Sequence, residues 1–449
     1  MFSTLVVVAL SSSSLLFTVN SQGIVCNATS LCPESAPCCS EYGFCGTGNF
    51  CLGGCNPLYS NSLDSCLPNP LCQDATHSFA DNSRILTNAS YFDGNASEYD
   101  WVVDKGSIIN TNSSGGELGL ILTETNGGTR LSSTRFVHYG TITAKLKTGR
   151  WAGVVTAFIT MSNIKDEIDW EFPGTNTTTG QTNYYWQGVI PNATHGQTET
   201  GISDTFSNYH EYTIDWQPDA LAFSVDGNVV RTIKESDAVN PTTGVNEYPN
   251  TPSRIQLSLW PAGINTSAPG TIEWAGGMIN WQDPDYVSAG HFYTLIQSVT
   301  VKCADPQSPG ANITSYVYGS NQTMDTPSVA FSNETTVNGA GPLFGIVGFG
   351  LGLGGKTHWI SVLGSVRQLP LFLNRHVHNG ALIDSTLVSS SFLYQNIPVL
   401  KDCAHRHIDA SRHISSFGPT LKVPDTLSFR ELPFGPPAPT GVFNLCDAE

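Results

Sequence analysis

Basic residues are scarce in this chain: 20 Lys and Arg stand against 37 Asp and Glu in 449 residues, a formal net charge of −17. The deficit sits almost wholly in the first 355 residues, where 12 basic and 30 acidic residues give −18. A surface of that sign repels polyphosphate and anionic lipid, which excludes nucleic acid and acidic membrane surfaces as partners. Long apolar runs are lacking too. The clusters Leu5 to Leu10 and Leu15 to Val19 are too short, and too interrupted by serine, to span a bilayer. Between residues 75 and 305 no long amphipathic helix pattern occurs, which leaves strands to build that region.

Strand patterns are what is there. Thr141 to Lys147 alternates cleanly, Leu221 to Ile233 reads as two strands joined at Asp226-Gly227, and Arg254 to Trp260 places Gln256, Ser258 and Trp260 on one face. Val154 to Met161 is a β-prone run, and Ser162 to Lys165 reads as a turn leading into Asp166-Glu167-Ile168-Asp169-Trp170-Glu171-Phe172. In that last stretch acidic and apolar residues alternate with the side-chain period of a strand. Glu167, Asp169 and Glu171 then share one face, and Ile168, Trp170 and Phe172 turn to the core. Three carboxylates on one side of a half-buried strand repel each other, so stability does not select them; a site needing a nucleophile and a proton donor does. Residues four apart on a strand lie about 13 Å apart at Cα, and two Glu side chains leaning together bring their carboxyl groups to roughly 5–6 Å. That is close to the spacing of about 5–5.5 Å of retaining glycosidases and below the inverting range of about 6.5–9.5 Å. A solvated acidic face is the plain alternative. Many short strands over this region predict one all-β sandwich.

Residues 75–305 resemble glycoside hydrolase family 16, whose signature is Glu-x-Asp-x-Glu on a strand of a jelly roll, and within it the fungal Crh-like cell-wall transglycosylases. Tyr139-Gly140, His210 to Pro218, Gln256 to Trp260 and Gly270 to Gly277 carry the likeness alongside the acidic strand. The resemblance implies a concanavalin-like jelly-roll β-sandwich. It implies Glu167 as nucleophile, Glu171 as general acid/base and Asp169 as auxiliary carboxylate, with Glu171, Gln256, Trp260 and Thr271 lining the donor sugar sites and no cofactor. Independently, an indole such as Trp260 suits stacking on the apolar face of a pyranose. Trp170 and Trp216 are expected in the core. Tyr184, Tyr185 and Trp186 offer a sugar platform, although consecutive residues point to opposite faces, so at least one is structural.

The amino end predicts export: residues 1–21 read as a secretory signal ending in Val-x-Ser, despite lacking Lys or Arg near its start. Nine of the twelve cysteines crowd between Cys26 and Cys72, the density of a disulfide-held module in an oxidising compartment. Adjacent Cys38-Cys39 and the absence of histidine from the module argue against zinc. The cysteine order, with Cys38-Cys39-Ser40-Glu41-Tyr42-Gly43-Phe44-Cys45-Gly46, resembles the hevein-type chitin-binding module over residues 22–72. That resemblance implies the pairs Cys26–Cys39, Cys32–Cys45, Cys38–Cys51 and Cys55–Cys66, which spacing alone does not choose among 105 connectivities. It also implies Ser40, Tyr42, Phe44 and Phe50 as holders of an N-acetylglucosamine ring. So small a domain cannot bury all its aromatics, which favours sugar stacking over packing. Cys72 is left over, with Cys303 as a candidate partner across the two ends of the sandwich.

Sequons at Asn27, Asn88, Asn95, Asn112, Asn176, Asn192, Asn265, Asn312, Asn321 and Asn333 fit a glycosylated secreted protein. Residues 306–355 read as a glycosylated linker ending in the Gly-rich apolar run Gly341 to Gly355. That run is short and internal, and does not act as a terminal anchor signal as it stands; a lipid anchor is the one route to a membrane left open. Residues 356–449 change composition, with six of the eleven His residues, no sequon and no recognisable motif. They are expected to be disordered, or to be translated non-coding sequence. Cys403 and Cys446 are a candidate pair, and His405 and His407 lack the further ligands of a metal site, so no metal is expected. Three readings follow: a wall transglycosylase moving chitin chains onto chitin or β-glucan, a hydrolase of the same fold, or a non-catalytic chitin-binding lectin. The intact acidic face disfavours the lectin.

Overall fold

In the computed structural model the described residues are 23–111, 116–191, 193–319 and 327–339. Residues 1–21, the sequons Asn112, Asn192 and Asn321, the Gly341–Gly355 run, and the tail with Cys403, His405, His407 and Cys446 lie outside them.

Two eight-stranded sheets face each other. Across the first run Gln197–Thr200, Thr179–Tyr185, Glu167–Pro173, Val154–Ser162, Ser253–Pro261, Thr129–Val137, Trp101–Lys105 and Ile85–Leu86. Only the last pairing is parallel. Across the second run Asn228–Lys234, Ala220–Val225, His210–Trp216, Gly140–Lys147, Phe292–Cys303, Leu118–Leu122 and Ser107–Asn110, with Ala75–Ser78 also paired to Phe292–Cys303. Alternation sets this arrangement. Ile168, Trp170 and Phe172 are 1 %, 0 % and 1 % exposed, and Trp170 meets Tyr212 and Phe223 of the opposite sheet at ring-centroid distances of 5.4 and 5.6 Å. Trp170 also donates its indole N–H to the Thr213 carbonyl at 3.2 Å, so a core indole keeps its polar atom satisfied. Trp216 is likewise buried.

The predicted hairpin turns where Asp226-Gly227 demanded it, with φ of 51° and 79°, the pair of left-handed residues a two-residue turn requires. Among the described residues of the sandwich the α-helices are Pro269–Trp274 and Pro284–Ala289, six residues each.

The small amino-terminal module holds two short paired strands, Cys38–Cys39 and Cys45–Gly46, inside four disulfides: Cys26–Cys39, Cys32–Cys45, Cys38–Cys51 and Cys55–Cys66. The sulfurs of Cys26, Cys32 and Cys39 converge, but each is spent in a disulfide and none is a free thiolate for a metal. Cys72 bonds to Cys303. One boundary differs from the sequence reading. Part of the expected 306–355 linker is folded: Ser315–Tyr318 pairs with Val329–Ser332 and with Asn69–Pro70, at the end of the amino-terminal module. Both strands are only four residues long, and Tyr316, buried to 1 %, supplies the apolar anchor that sparse alternation concealed.

Candidate active site

The face of the first sheet that points away from the core is recessed. Asp169 is 2 % exposed, Gln256 4 % and Arg254 6 %, although none of them points into the sandwich. Strand register lays out this floor in rows. Asp169 stands level with Asn183 on one side and with Ile159, Gln256 and Ser132 on the other. Glu167 lies between Tyr185 and Met161, and Glu171 between Gln181 and Ala157. The three acids therefore share one face of one strand, each flanked by neighbours from both sides.

The turn that delivers the strand is pinned from below. Asp166, fully buried, accepts hydrogen bonds from the backbone N–H of Gln187, Asn250 and Thr251 and from the Thr251 hydroxyl at 2.6–3.1 Å. Lys165 adopts φ +76°, a left-handed turn conformation that costs a non-glycine residue about 1–2 kcal/mol. Asp166 thus positions the strand and is not itself part of the acidic row.

Electrostatics separate the three acids. Burial pushes Glu167 up to about 7, against the opposing pull of a hydrogen bond from Asp169 and the positive charge of Lys165. Burial also raises Glu171, to about 8, with the Glu167 charge adding to it and a hydrogen bond from the Trp260 indole opposing it. Asp169 is raised well above the usual carboxylate range, by burial and by the charges of Glu167 and Glu171 on either side. A row of this kind holds a proton on Asp169 that is shared with Glu167, and holds Glu171 protonated near neutral pH.

Aromatic walls complete the recess. Trp260 stacks on Trp274 at 6.0 Å and 24° between ring planes, above an apolar seat of Val155, Ala262 and Ala275. Glycines make that seat possible: a Cβ on Gly263 would lie 2.2 Å from the Gly277 carbonyl oxygen, so only glycine lets the loop after Trp274 lie on the sheet. Trp274 donates to Gln181 Oε1 at 3.1 Å, one strand beyond Glu171. Gln256 is on the floor beside the acidic row. Thr271 lies half-buried in the Pro269–Trp274 helix, and it is Trp274 of that helix that reaches the row's neighbours. Of the three consecutive aromatics, Tyr184 and Trp186 are buried, and Tyr185 alone stands level with Glu167. Trp274, Gln181 and Lys165 had no sequence signal as site residues; the Gly-Thr-Ile-Glu-Trp stretch containing Trp274 was the nearest one.

In the module, Tyr42 and Phe50 are exposed and Ser40 and Phe44 half-buried, with Ser40 Oγ accepting from the Phe44 N–H at 3.3 Å. Among the described sequons, Asn27, Asn88, Asn176, Asn265, Asn312 and Asn333 are exposed and Asn95 is half-buried.

An all-β sandwich presenting a recessed row of carboxylates between aromatic walls defines a glycoside-cleaving enzyme of the carboxylate type, and the sequence profile of glycosyl hydrolases family 16 matches residues 95–276. Crh-like protein 2 of Aspergillus fumigatus is 44 % identical over 335 residues, 74 % of this chain and 74 % of that protein. Congo red hypersensitive protein 2 of Saccharomyces cerevisiae is 43 % identical over 311 residues, 69 % of this chain and 66 % of that protein. A solved Crh5 transglycosylase in complex with NAG is 27 % identical and covers 62 % of this chain and all of its own, with a TM-score of 0.48. The chain belongs to the Crh-like family of glycosyl hydrolases family 16. It is an enzyme that cleaves or transfers glycosidic bonds in cell-wall polysaccharide.

Proposed function

We propose that the chain cuts β-1,4-linked chitin by a retaining double displacement and hands the cut chain to a β-glucan or chitin acceptor. The observation that carries this reading is the recessed row Glu167–Asp169–Glu171 on one strand face, Asp169 buried and both glutamates half-buried, with all three carboxyl groups pushed above their ordinary pKa. Glu171, the acid held protonated near neutrality, gives its proton to the leaving glycosidic oxygen. Glu167, the lower of the two glutamates and hydrogen-bonded by protonated Asp169, attacks the anomeric carbon and forms a glycosyl ester. The chain beyond the cut leaves with the proton from Glu171. Ionised Glu171 then takes the proton of an incoming sugar hydroxyl, whose oxygen displaces Glu167 and restores both carboxyl groups. No metal or cofactor enters these steps.

In this reading Gln256, Trp260 and Thr271 hold the donor sugars, and Trp274 extends the stacking wall. Residues 22–72 act as a hevein-type chitin-binding module in which Ser40, Tyr42, Phe44 and Phe50 seat an N-acetylglucosamine ring. The protein is exported on residues 1–21 and works glycosylated at the cell wall, with chitin and β-glucan as its partners; a lipid anchor would be its one tie to a membrane.

Chitooligosaccharides incubated with a fluorescent glucan oligomer test the reaction. Labelled products longer than the acceptor indicate transfer, shortened unlabelled sugars indicate hydrolysis, and unchanged sugars leave binding alone. Glu167→Gln is expected to lower turnover by at least about 10³-fold, as loss of an attacking group does, while retention on chitin beads persists. Turnover surviving in that variant would refute the assignment of Glu167.

A further inference from the structure

The amino-terminal module is not tethered at a distance from the catalytic sheet; it is seated on it. Glu41 Oε1 pairs with Arg130 Nη2 at 2.7 Å, and the same guanidinium lies 3.5 Å from the Tyr42 hydroxyl. Asp104 holds Arg130 from the other side at 3.1 Å and also takes Arg254 at 3.4 Å. Burial alone would raise the Asp104 carboxyl, but Arg254 and Arg130 hold it low, so the cluster is ionised and paired. Gly54 N–H donates to Asn163 Oδ1 at 3.0 Å, Asn163 Nδ2 donates to Asn69 at 3.0 Å, and Asn49 Nδ2 donates to the Ser90 carbonyl at 3.0 Å. Gly53 packs so closely over Arg254 that a Cβ there would come within 2.9 Å of the guanidinium. The module's exit is fixed as well, since Asn69–Pro70 pairs into the Ser315–Tyr318 strand and Cys72 is bonded to Cys303.

Register shows where this seat lies. Arg130 pairs with Ser258, Ser258 with Ala157, and Ala157 with Glu171, all on the recessed face. Three inter-strand steps separate Arg130 from Glu171, about 14 Å, a span of a few sugar rings. The seat also reaches the Glu167 end of the row. Arg254, which shares Asp104 with Arg130, pairs with Met161, and Met161 pairs with Glu167. Lys165, two residues ahead of Glu167, feels the charge of Glu41. Tyr42 is 53 % exposed at this junction, with its hydroxyl 3.5 Å from the Arg130 guanidinium.

We propose that Tyr42 and Arg130 form a distal donor site continuous with the catalytic trough, so that one chitin chain runs across the sheet and ends on the module. The module then acts as the far wall of the trough and measures donor length. It does not act as a separate targeting domain. This rests on the reading of the trough as a chitin-cleaving site; among the contacts that seat the module, the Glu41–Arg130 pair is the one that holds Tyr42 in register with the sheet.

The test uses the full chain and N-acetylglucosamine oligomers of increasing length as donors. kcat/KM is expected to climb as donors become long enough to reach Tyr42. Glu41→Ala and Tyr42→Ala are each expected to remove about tenfold of that gain, the effect of one stacked contact held in register. Glu41→Ala should leave turnover of the shortest donor within about twofold and should still bind chitin beads, which shows the module folded. An undiminished gain in both variants, or turnover of wild type that is flat with donor length, would overturn the proposal. Calorimetry on the Glu167→Gln chain separates this from failure of the catalytic reading. One binding event per protein, tightening with oligomer length, supports a continuous site even if no donor is turned over; two independent events overturn it.

Discussion

At the scale of single residues, the site is a set of opposed pulls on carboxyl groups. Burial raises all three acids, and specific neighbours then divide the labour: the indole of Trp260 favours ionised Glu171, and Lys165 with Asp169 favours ionised Glu167. On the proposed roles, kcat/KM is bell-shaped, with the acid limb set by Glu167 and the basic limb by Glu171. Trp260→Phe keeps a ring against Trp274 but removes the N–H that stabilises the charged form of Glu171. The Glu171 pKa therefore rises, and the basic limb should move to higher pH while the acid limb stays in place. A pH profile of the variant in which the basic limb is unmoved, or lies lower, would contradict this assignment of the proton donor.

Among elements, turn chemistry is as decisive as strand pattern. The hairpin between Ala220–Val225 and Asn228–Lys234 turns on Asp226 and Gly227, both left-handed, and Asp226 further accepts from Glu211 N–H at 2.9 Å and pairs with His210 Nδ1 at 2.7 Å. A Cβ on Gly227 would meet no atom within 4 Å, so Gly227→Ala costs only the conformational penalty of about 1–2 kcal/mol. Urea unfolding should show that loss with an unchanged m-value. Gly180 is the contrasting case, because a Cβ there would lie 2.7 Å from Phe172 and 2.9 Å from Trp170, and its role is packing. The acidic strand itself was legible because its period is two and its apolar half fills the core. The Ser315–Tyr318 and Val329–Ser332 pair was not, because four-residue strands at a margin carry too little alternation to be distinguished from linker.

For the whole molecule, the amino-terminal module, the sandwich and the residues just after it are joined as one piece. The Cys72–Cys303 bond closes a separation of 231 residues, and long closures restrict the unfolded chain most. Replacing both cysteines by serine should cost about 3–5 kcal/mol by denaturant unfolding under oxidising conditions. A change below about 1 kcal/mol would show that the seat around Arg130 and the Asn69–Pro70 strand hold the ends together without it.

The sequence by itself determined the all-β class, the strand bearing Glu167, Asp169 and Glu171, the hairpin at Asp226-Gly227 and the cysteine-dense module, because each is written in local period, turn chemistry or residue density. Only the tertiary structure decided that Trp274 and Gln181 flank Glu171, that Tyr185 and not its neighbours stands beside Glu167, and that Glu41 of the module meets Arg130 on the recessed sheet. Those contacts arise from strand order and register, and the longest of them, Trp274 to Gln181 and Glu41 to Arg130, join residues 93 and 89 positions apart, a pairing that no local pattern in the chain encodes.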